Sequence, residues 1–316
     1  LLTRNDVIVV ASVSCIYNIG SPSTYQQVSL EIKSGQKIKR RDFLSHLTSL
    51  QYQRNDIDFK PGTFRVRGDT VEVYLVTGEK TLKIEFSGDK IISPSGCRIF
   101  PAKFWTTPQN KLSIALGNIK LELQGQLKKL KKEKKLLEAQ RLEQKTNYDL
   151  EMIQETGFCH GIENYSSHLE FRKPGEPPYT LLDYYRDNFL IFIDESHLTI
   201  SQLNAMAVQD KIRKGTLIDY GFRLPSAIDN RPLRFNEFEK KISQAIYVSA
   251  TPNKYEKEKA LRRAQGKSEA KYIIEQLIRP TGLLEPAIEI RPTKDQVKDL
   301  IKEIKNRTAK RQRSLV

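Results

Sequence analysis

The sequence predicts an α/β fold, a parallel sheet interrupted by a small inserted α+β domain and by a helical domain. Short, nearly continuous apolar runs indicate the parallel sheet. A stretch of brief alternating strands separated by turn residues indicates the inserted domain. A long helical repeat of leucines indicates the helical domain.

Three apolar runs rich in β-branched residues predict the strands of the parallel sheet. They cover residues 7–13, 189–193 and 245–248. Continuous apolar runs of this length are typical of strands that are buried on both faces. Each run ends in small or polar residues, and in open α/β sheets the ligand crevice lies beyond the carboxyl ends of the strands. We therefore expect three polar clusters at one edge of the sheet.

Residues 29–107 have a different pattern, with short strands and frequent turns. Residues 63–67 and 70–74 alternate apolar and polar side chains on either side of Gly68 and Asp69, which predicts a hairpin. A further strand at 82–86 precedes a second Gly-Asp pair. This pattern predicts a small α+β domain inserted into the sheet domain.

A long helix is predicted from about Pro108. Apolar residues spaced by three, four or seven mark one face of it, namely Leu112, Leu116, Ile119, Leu123, Leu127, Leu130 and Leu137. Lysines occupy the other faces, namely Lys128, Lys129, Lys131, Lys132, Lys134 and Lys135. Two interpretations of these lysines stay open, a solvated helix face or contact with a DNA backbone. A second, charged helix is predicted after about Pro292.

The chain of 316 residues carries 53 Lys and Arg against 38 Asp and Glu, a net charge of +15. That excess favours a polyanionic partner, most often nucleic acid, with an anionic membrane surface as the lesser option. No apolar run approaches the roughly 18 residues of a membrane span. Three scattered cysteines fit a reducing compartment, so a cytoplasmic protein is expected. Strand-like residues near Leu1 and at 313–316 lead us to expect a fragment.

Two adjacent carboxylates, Asp194 and Glu195, follow the predicted strand at 189–193. This is the Walker B arrangement, in which the first carboxylate holds Mg²⁺ and the second orients the attacking water. His197 can hydrogen-bond across the crevice and sense the nucleotide state. The alternative is a strand end followed by ordinary acids at the start of a helix.

Ser249 and Thr251 follow the third run and resemble the S-A-T element of helicase-like motors. Their hydroxyls are expected to bond to the acidic box and couple hydrolysis to DNA movement. No G-x-x-x-x-G-K-[S/T] loop occurs in the sequence, so no glycine-rich loop cradles phosphates here. We expect little ATP hydrolysis by this chain alone.

Several long and unusual motifs extend over nearly the whole chain. They are ASVSCIY at 11–17, YQRND at 52–56, GTFRVRG at 62–68, GIENYS at 161–166, DESH at 194–197, GFRLPSAIDNRPL at 221–233, YVSATP at 247–252 and RPTGLL at 279–284. Together these motifs resemble those of the UvrB family of bacterial nucleotide excision repair.

The resemblance implies a RecA-like helicase motor with two inserted domains. The implied divisions are motor domain 1 at 1–28, a UvrA-interaction domain at 29–107, a helical flap-like domain that faces DNA at 108–185, the return of motor domain 1 at 186–290, and a linker to a second motor domain at 291–316. The implied cofactors are ATP and Mg²⁺, held in part by Asp194. The implied partners are UvrA, the nuclease UvrC and damaged double-stranded DNA, with no membrane. The resemblance implies that ATP hydrolysis and damage verification are activities of the intact, longer protein of which this chain would be a fragment.

The resemblance also implies roles for particular side chains. Those expected to bind UvrA are Arg54, Arg65, Arg67, Lys83 and Glu85. Arg65 and Arg67 are two positions apart on a strand and project from one face. Because few acids are near in sequence, we expect a partner to neutralise them, with a solvated strand face as the alternative.

Residues expected to contact DNA are Phe158, Glu163, Arg223, Pro225, Ser12 and Ser14. A ring such as Phe158 can stack on a base, and Arg223 can bridge phosphates. Core packing is the alternative for Phe158, and helix capping is the alternative for Ser12 and Ser14. Ser167 departs from the family pattern, which usually has Arg there.

Two other functions compete. A transcription–repair coupling factor carries a similar UvrA-docking domain, so residues 29–107 alone fit either protein. The motifs around Asp194, Arg223 and Gly161 favour the UvrB family. A generic basic protein that binds RNA or a membrane surface rests only on charge.

Overall fold

The computed structural model describes residues 1–94, 96–105, 108–186, 188–264, 272–276, 282, 284 and 286–316. These form two compact units, Leu1–Glu258 and Lys259–Val316. Most of the RPTGLL stretch at 279–284 lies outside the described residues, as does part of the 186–290 segment.

The described strands and helices follow in chain order. The strands are β1 (Leu30–Ile32), β2 (Gln53–Arg54), β3 (Thr63–Arg67), β4 (Thr70–Tyr74), β5 (Thr81–Ser87), β6 (Lys90–Ser93), β7 (Cys97–Ile99), β8 (Leu190–Ile193) and β9 (Gln244–Tyr247). The α-helices are α1 (Pro22–Val28), α2 (Arg40–Ser49), α3 (Gln109–Lys132), α4 (Leu136–Thr156), α5 (Ser166–Leu169), α6 (Ser196–Asp219), α7 (Phe235–Lys241), α8 (Lys254–Ala264) and α9 (Gln296–Ala309). Short 3₁₀ helices cover Val13–Ile16, Ile162–Tyr165, Leu181–Tyr184 and Pro225–Asp229.

The inserted region is built on a sheet with strand order β2-β3-β4-β5-β6. β2 pairs with β3 in parallel, and the other neighbours are antiparallel. The two Gly-Asp pairs connect β3 to β4 and β5 to β6, which confirms both predicted turns. Alternation along the strands sends Val71, Val73 and Ile84 into a core that is closed by Phe43 and Leu47 of α2.

α3 and α4 form an antiparallel hairpin that buries the predicted apolar stripe from Leu112 to Leu130. Leu137 is an exception: it is 62% exposed, so its assignment to that stripe was wrong. α3 ends at Lys132, and the chain reverses through a turn in which Lys134 has φ +60°. Because the reversal starts a new helix, the apolar spacing of α3 does not continue to Leu137 in α4.

The parallel sheet contains β8 and β9 in register from Leu190–Gln244 to Ile193–Tyr247. α6 and α7 cover one face through Ile200, Leu203 and Phe238. The other face, which includes Phe192 and Ile246, is exposed. The prediction of strands buried on both faces was therefore wrong, because no layer of the described residues covers that face.

The first predicted strand was also wrong. Residues 7–12 have no regular structure, and Val13 begins a 3₁₀ helix. Ile8 and Val10 are almost fully exposed. β-branched residues form a strand only when a neighbouring strand supplies hydrogen bonds, and among the described strands none pairs with this segment.

The second unit begins within α8 and contains α9, the helix that the charged pattern after Pro292 predicted. Arg291 pairs with Asp299 at 3.0 Å and with Glu303 at 3.2 Å, which ties the preceding segment to the helix. The expectation of a strand at 313–316 was wrong, since those residues are exposed and irregular. In the described part of the chain, no helix combines the length and the apolar character needed to cross a bilayer.

Gly221 provides a test of the packing between α6 and α4. Its φ is +70°, and a Cβ on it would lie 2.2 Å from the backbone oxygen of Glu138. Gly221→Ala should destabilise the protein by about 2 kcal/mol or more, because the left-handed backbone and the clash both oppose alanine. Gly125→Ala is the matched control. Gly125 lies inside α3 with open space around it, so alanine there should stabilise by about 0.5–1 kcal/mol. Urea unfolding of both variants checks the opposite signs, and equal stability would contradict the described packing.

Candidate functional site

The carboxyl ends of β8 and β9 bring two of the three predicted polar clusters together. The backbone N–H of Val248 donates to the carbonyl of Ile193 at 2.9 Å, and the N–H of Ser196 donates to the carbonyl of Val248 at 2.9 Å. These bonds extend the parallel pairing beyond the strands themselves. Asp194, Glu195 and Ser249 therefore follow neighbouring strands at the same edge.

Asp194 and Glu195 are exposed at this edge. Glu195 has φ +42°, a left-handed conformation between the end of β8 and the start of α6. The carboxylate of Asp194 accepts no hydrogen bond from another described side chain, whereas its backbone oxygen accepts one from Thr199 at 2.8 Å. Carboxylate oxygens are preferred ligands of Mg²⁺, so the donor set fits the implied ion.

His197 joins the two clusters. Its Nδ1 lies 2.8 Å from the Ser249 hydroxyl and 3.4 Å from Oε2 of Glu195. The Ser249 hydroxyl also accepts the backbone N–H of Thr251 at 3.0 Å. The expected hydrogen bond between the 194–197 motif and the S-A-T element is therefore formed by the His197 imidazole and the Ser249 hydroxyl. The Thr251 hydroxyl takes no part in it.

Glu256 supports the same edge, and sequence reasoning missed it. It is buried on α8, accepts the Ser196 hydroxyl at 2.8 Å, and accepts the backbone N–H of Asn253 at 3.1 Å. The spacing of Asn253 and Glu256 is that of a capping box, which could have revealed the second bond. The bond to Ser196 depends on tertiary structure.

The inserted sheet places four of the five predicted UvrA-binding residues on one face. Arg65 and Lys83 flank Glu72 in one row of the register, and Arg67 and Glu85 flank Thr70 in the next. α2 covers the opposite face. Arg54 lies on the edge strand β2 and pairs with Asp56 at 3.0 Å.

The expectation that these arginines have few acids near them was wrong for Arg65. Its guanidinium donates to the carboxylate of Glu72 and lies 4.2 Å from the centre of the Phe59 ring. Lys83 lies 3.8 Å from the same carboxylate. The acid comes from the neighbouring strand, so local sequence did not show it. Arg67 is exposed and has no ion-pair partner in the described part of the chain.

Three of the predicted DNA-binding residues lie in adjoining segments. Glu163 is in the 3₁₀ helix Ile162–Tyr165, which packs against the 3₁₀ helix Pro225–Asp229. Pro225 begins that second helix, and Arg223 immediately precedes Leu224 at its N-terminal side. Lys214 of α6 holds the same loop by donating to the carbonyl of Asn230.

The other three are placed differently. Phe158 is half-buried, and the Lys103 ammonium lies 3.2 Å from its ring centre, so one ring face is covered. Ser12 caps the 3₁₀ helix that begins at Val13, with its hydroxyl accepting the N–H of Ser14 at 3.4 Å. Both serines follow an irregular segment, not the predicted strand.

Glu122 of α3 fixes the loop that carries Arg223, and sequence reasoning missed it too. Its carboxylate accepts the backbone N–H and the hydroxyl of Ser226, each at 2.7 Å, and lies 2.7 Å from Nε2 of His168. Burial opposes ionisation, but the bonds from His168 and Ser226 outweigh it and hold the pKa of Glu122 below its ordinary value.

Glu122→Gln should destabilise the protein by about 1–3 kcal/mol at neutral pH, because bonds to a charged acceptor are lost. A carboxyl whose pKa is lowered on folding stabilises above its unfolded pKa, and this contribution disappears as pH falls through the folded value. The stability gap to the unsubstituted protein should therefore shrink below the ordinary carboxyl pKa. Urea unfolding at neutral pH and at a pH below the ordinary carboxyl pKa measures this stability gap. Glu155→Gln, at an exposed position, is the control. A gap that does not depend on pH would contradict the ionised state.

Comparisons with known proteins agree with the motifs. A family model described as the UvrB interaction domain matches residues 30–96, and one described as the UvrB third helical domain matches residues 110–171. The chain resembles UvrABC system protein B of Halalkalibacterium halodurans, with 52% identity over 331 aligned residues. The identity is 51% for the same protein of Geobacillus kaustophilus and 50% for that of Chloroflexus aggregans.

These matches cover all of the chain but only 48–49% of each relative. The chain thus spans about half the length of the curated relatives that it matches. Two family domains and about 50% identity along its whole length lead to one conclusion: the chain belongs to the UvrB family.

Proposed function

We propose that this chain forms part of an ATP-dependent subunit that recognises and verifies DNA damage in nucleotide excision repair. The observation that carries the proposal is the shared edge of β8 and β9, where His197 links Glu195 to Ser249. The relatives are named UvrABC system protein B, and this name supports the proposed role in nucleotide excision repair. Because the sequence has no phosphate-binding loop, we assign ATP turnover to a longer protein that includes these residues.

A RecA-like motor is the fold that we propose for the β8–β9 region. Its support is a parallel strand pair with helices on one face and polar residues beyond the carboxyl ends. The sheet of β2 to β6 and the helical hairpin precede this region along the chain, whereas Ile16, which comes before both, packs in the same core as Ile193 and Phe238. We therefore propose that the two elements are insertions, as the family resemblance implies.

Each side chain at the edge has a role in the proposed reaction. Asp194 would hold Mg²⁺. When bound, ATP would supply the phosphoryl group and Mg²⁺ would neutralise the charge that develops on it. Glu195 accepts a proton from the attacking water and orients it. His197 bonds to Ser249 and lies beside the carboxylate of Glu195, and in the proposed reaction it transmits a change at that carboxylate to the segment that follows β9. The buried Ser196–Glu256 bond keeps the start of α6 in place.

Two interfaces complete the proposal. The exposed row of Arg67 and Glu85 is the face that we assign to UvrA, in agreement with the UvrB interaction domain match. The loop with Arg223 and Pro225, together with Glu163, is the surface that we assign to damaged duplex DNA. We also propose UvrC as a later partner because the relatives are named for the UvrABC system.

A transcription–repair coupling factor receives no support from the comparisons. The relatives named above match along the whole chain, and the helical-domain match adds a second UvrB-specific region outside the docking insert.

Glu195→Gln should abolish ATP turnover in the longest natural form of the protein while ATP binding persists. The amide has the size of the carboxylate but cannot accept the proton of water, so a loss of roughly 10²–10⁴-fold is expected. Phosphate release with DNA present measures turnover, and a fluorescent nucleotide measures binding. Glu155→Gln on α4 is the control. Normal turnover by Glu195→Gln would exclude Glu195 as the water-activating group.

Arg67→Ala should weaken capture by UvrA without loss of stability, because Arg67 is exposed and outside the ion pairs of the described sheet. Arg65→Ala should weaken capture and also destabilise the sheet, since it leaves the buried carboxylate of Glu72 without its guanidinium. Pull-down with purified UvrA and thermal unfolding separate the two effects. Arg41→Ala, on the helix behind the sheet, is the control. Unchanged capture by Arg67→Ala would reject this face as the docking surface.

A further inference from the structure

The turn between α3 and α4 carries the densest run of charge in the sequence. Residues 128–135 contain six lysines and one glutamate. We call five of these lysines the basic tip, namely Lys128, Lys129, Lys131, Lys132 and Lys134. All five are exposed.

The charge of the basic tip is not neutralised by the residues that the structure describes. Glu133, the acid of the turn, lies 3.3 Å from the sixth lysine, Lys135. None of the five lysines of the basic tip forms an ion pair in the part of the chain that the structure describes. Several other cations are neutralised by the fold: Arg65, Lys214 and Lys241 each pair with an acid.

The basic tip is presented on a well-ordered support. Leu130 and Ala139 are buried against each other's helices just behind the turn. The N–H of Lys135 donates to the carbonyl of Leu130 at 2.9 Å, and the N–H of Lys134 donates to that of Lys131 at 3.1 Å. The lysines therefore project from a fixed turn, which lowers the ordering cost of binding.

Folding alone does not explain these lysines. Lysines in the last turn of α3 interact favourably with the helix dipole, which accounts for Lys131 and Lys132. Lys134 has φ +60°, a conformation in which glycine costs least. Lysine at position 134 therefore makes the hairpin slightly less stable than glycine would. A function of this lysine outside the hairpin is the better explanation for its presence.

The basic tip adjoins the loop that carries Arg223. Arg141 of α4 donates to the carbonyl of Tyr220 at 2.6 Å, and its guanidinium lies 4.3 Å from the centre of the Phe222 ring. Gly221 packs directly on the backbone of Glu138, one turn from the end of the hairpin. The loop and the turn are thus neighbouring parts of one surface.

We propose that the basic tip binds the phosphate backbone of duplex DNA, as an extension of the surface formed by the Arg223 loop. This inference rests on the proposed DNA-binding function. Duplex DNA carries one negative charge per about 1.7 Å of its axis, and Lys128 and Lys132 are about 6 Å apart along α3. One turn of helix therefore faces several phosphates. The contact is independent of base sequence.

An anionic lipid surface fits the same region less well. Leu136 and Leu137 are exposed beside the lysines. A helix that lies in a membrane interface needs an apolar face along its length. The apolar faces of α3 and α4 are buried against each other, which leaves only this short patch.

The test compares two double variants of the longest natural form of the protein. Lys128→Gln with Lys132→Gln removes two charges from the basic tip. Lys111→Gln with Lys120→Gln removes two exposed charges from the same helix, farther from the turn. Glutamine keeps the helix propensity of lysine. Binding to an undamaged DNA duplex is measured over a salt series, with thermal unfolding as the folding check.

For the tip variant, the slope of log affinity against log salt should fall by about 2, one for each lost phosphate contact, while the control keeps the original slope. Equal slopes in all three proteins would overturn the inference and leave the proposed function in place. Absence of duplex binding by the unsubstituted protein would overturn both. Loss of binding to phosphatidylserine vesicles by the tip variant, with duplex binding unchanged, would also overturn the inference.

Discussion

The parallel pairing of β8 with β9 is the constraint on which the candidate nucleotide site depends. Backbone hydrogen bonds continue past both strands, from Val248 to Ile193 and from Ser196 to Val248. A slip of one residue would turn every side chain of β9 to the other face. Ser249 would then be out of reach of His197. The chemistry of the edge is therefore fixed first by backbone geometry and only then by side-chain type.

Sequence reasoning succeeded where the determining contacts are local. The Gly-Asp turns and the leucine stripe of α3 depend on residues a few positions apart, and both could be predicted. The segment at 7–13 could not, since strand formation requires a partner that local composition does not show. Leu137 failed for a similar reason: a helical repeat can continue numerically across a chain reversal.

The candidate sites show the same division. Asp194 and Ser249 could be identified because strand ends of a parallel sheet converge. Glu72 and Glu122 could not, because each looks like an ordinary acid until the fold brings Arg65 or Ser226 beside it. The net charge indicated that the partner is a polyanion, but it did not indicate where the partner binds. The ion pairs of individual cations indicate the binding surface: Arg65 is neutralised within the described sheet, whereas Arg67 is not.

The bare face of the β8–β9 pair has a practical consequence for handling the chain. Leu190, Phe192, Ile246 and Val248 are exposed on this face, and no third strand among the described residues pairs with the outer edges of β8 and β9. An apolar strand face with open edges is a template for intermolecular stacking. Concentrated samples of the 316 residues alone should therefore self-associate through this face despite a net charge of +15, because salt screens that repulsion beyond about 8 Å at physiological ionic strength.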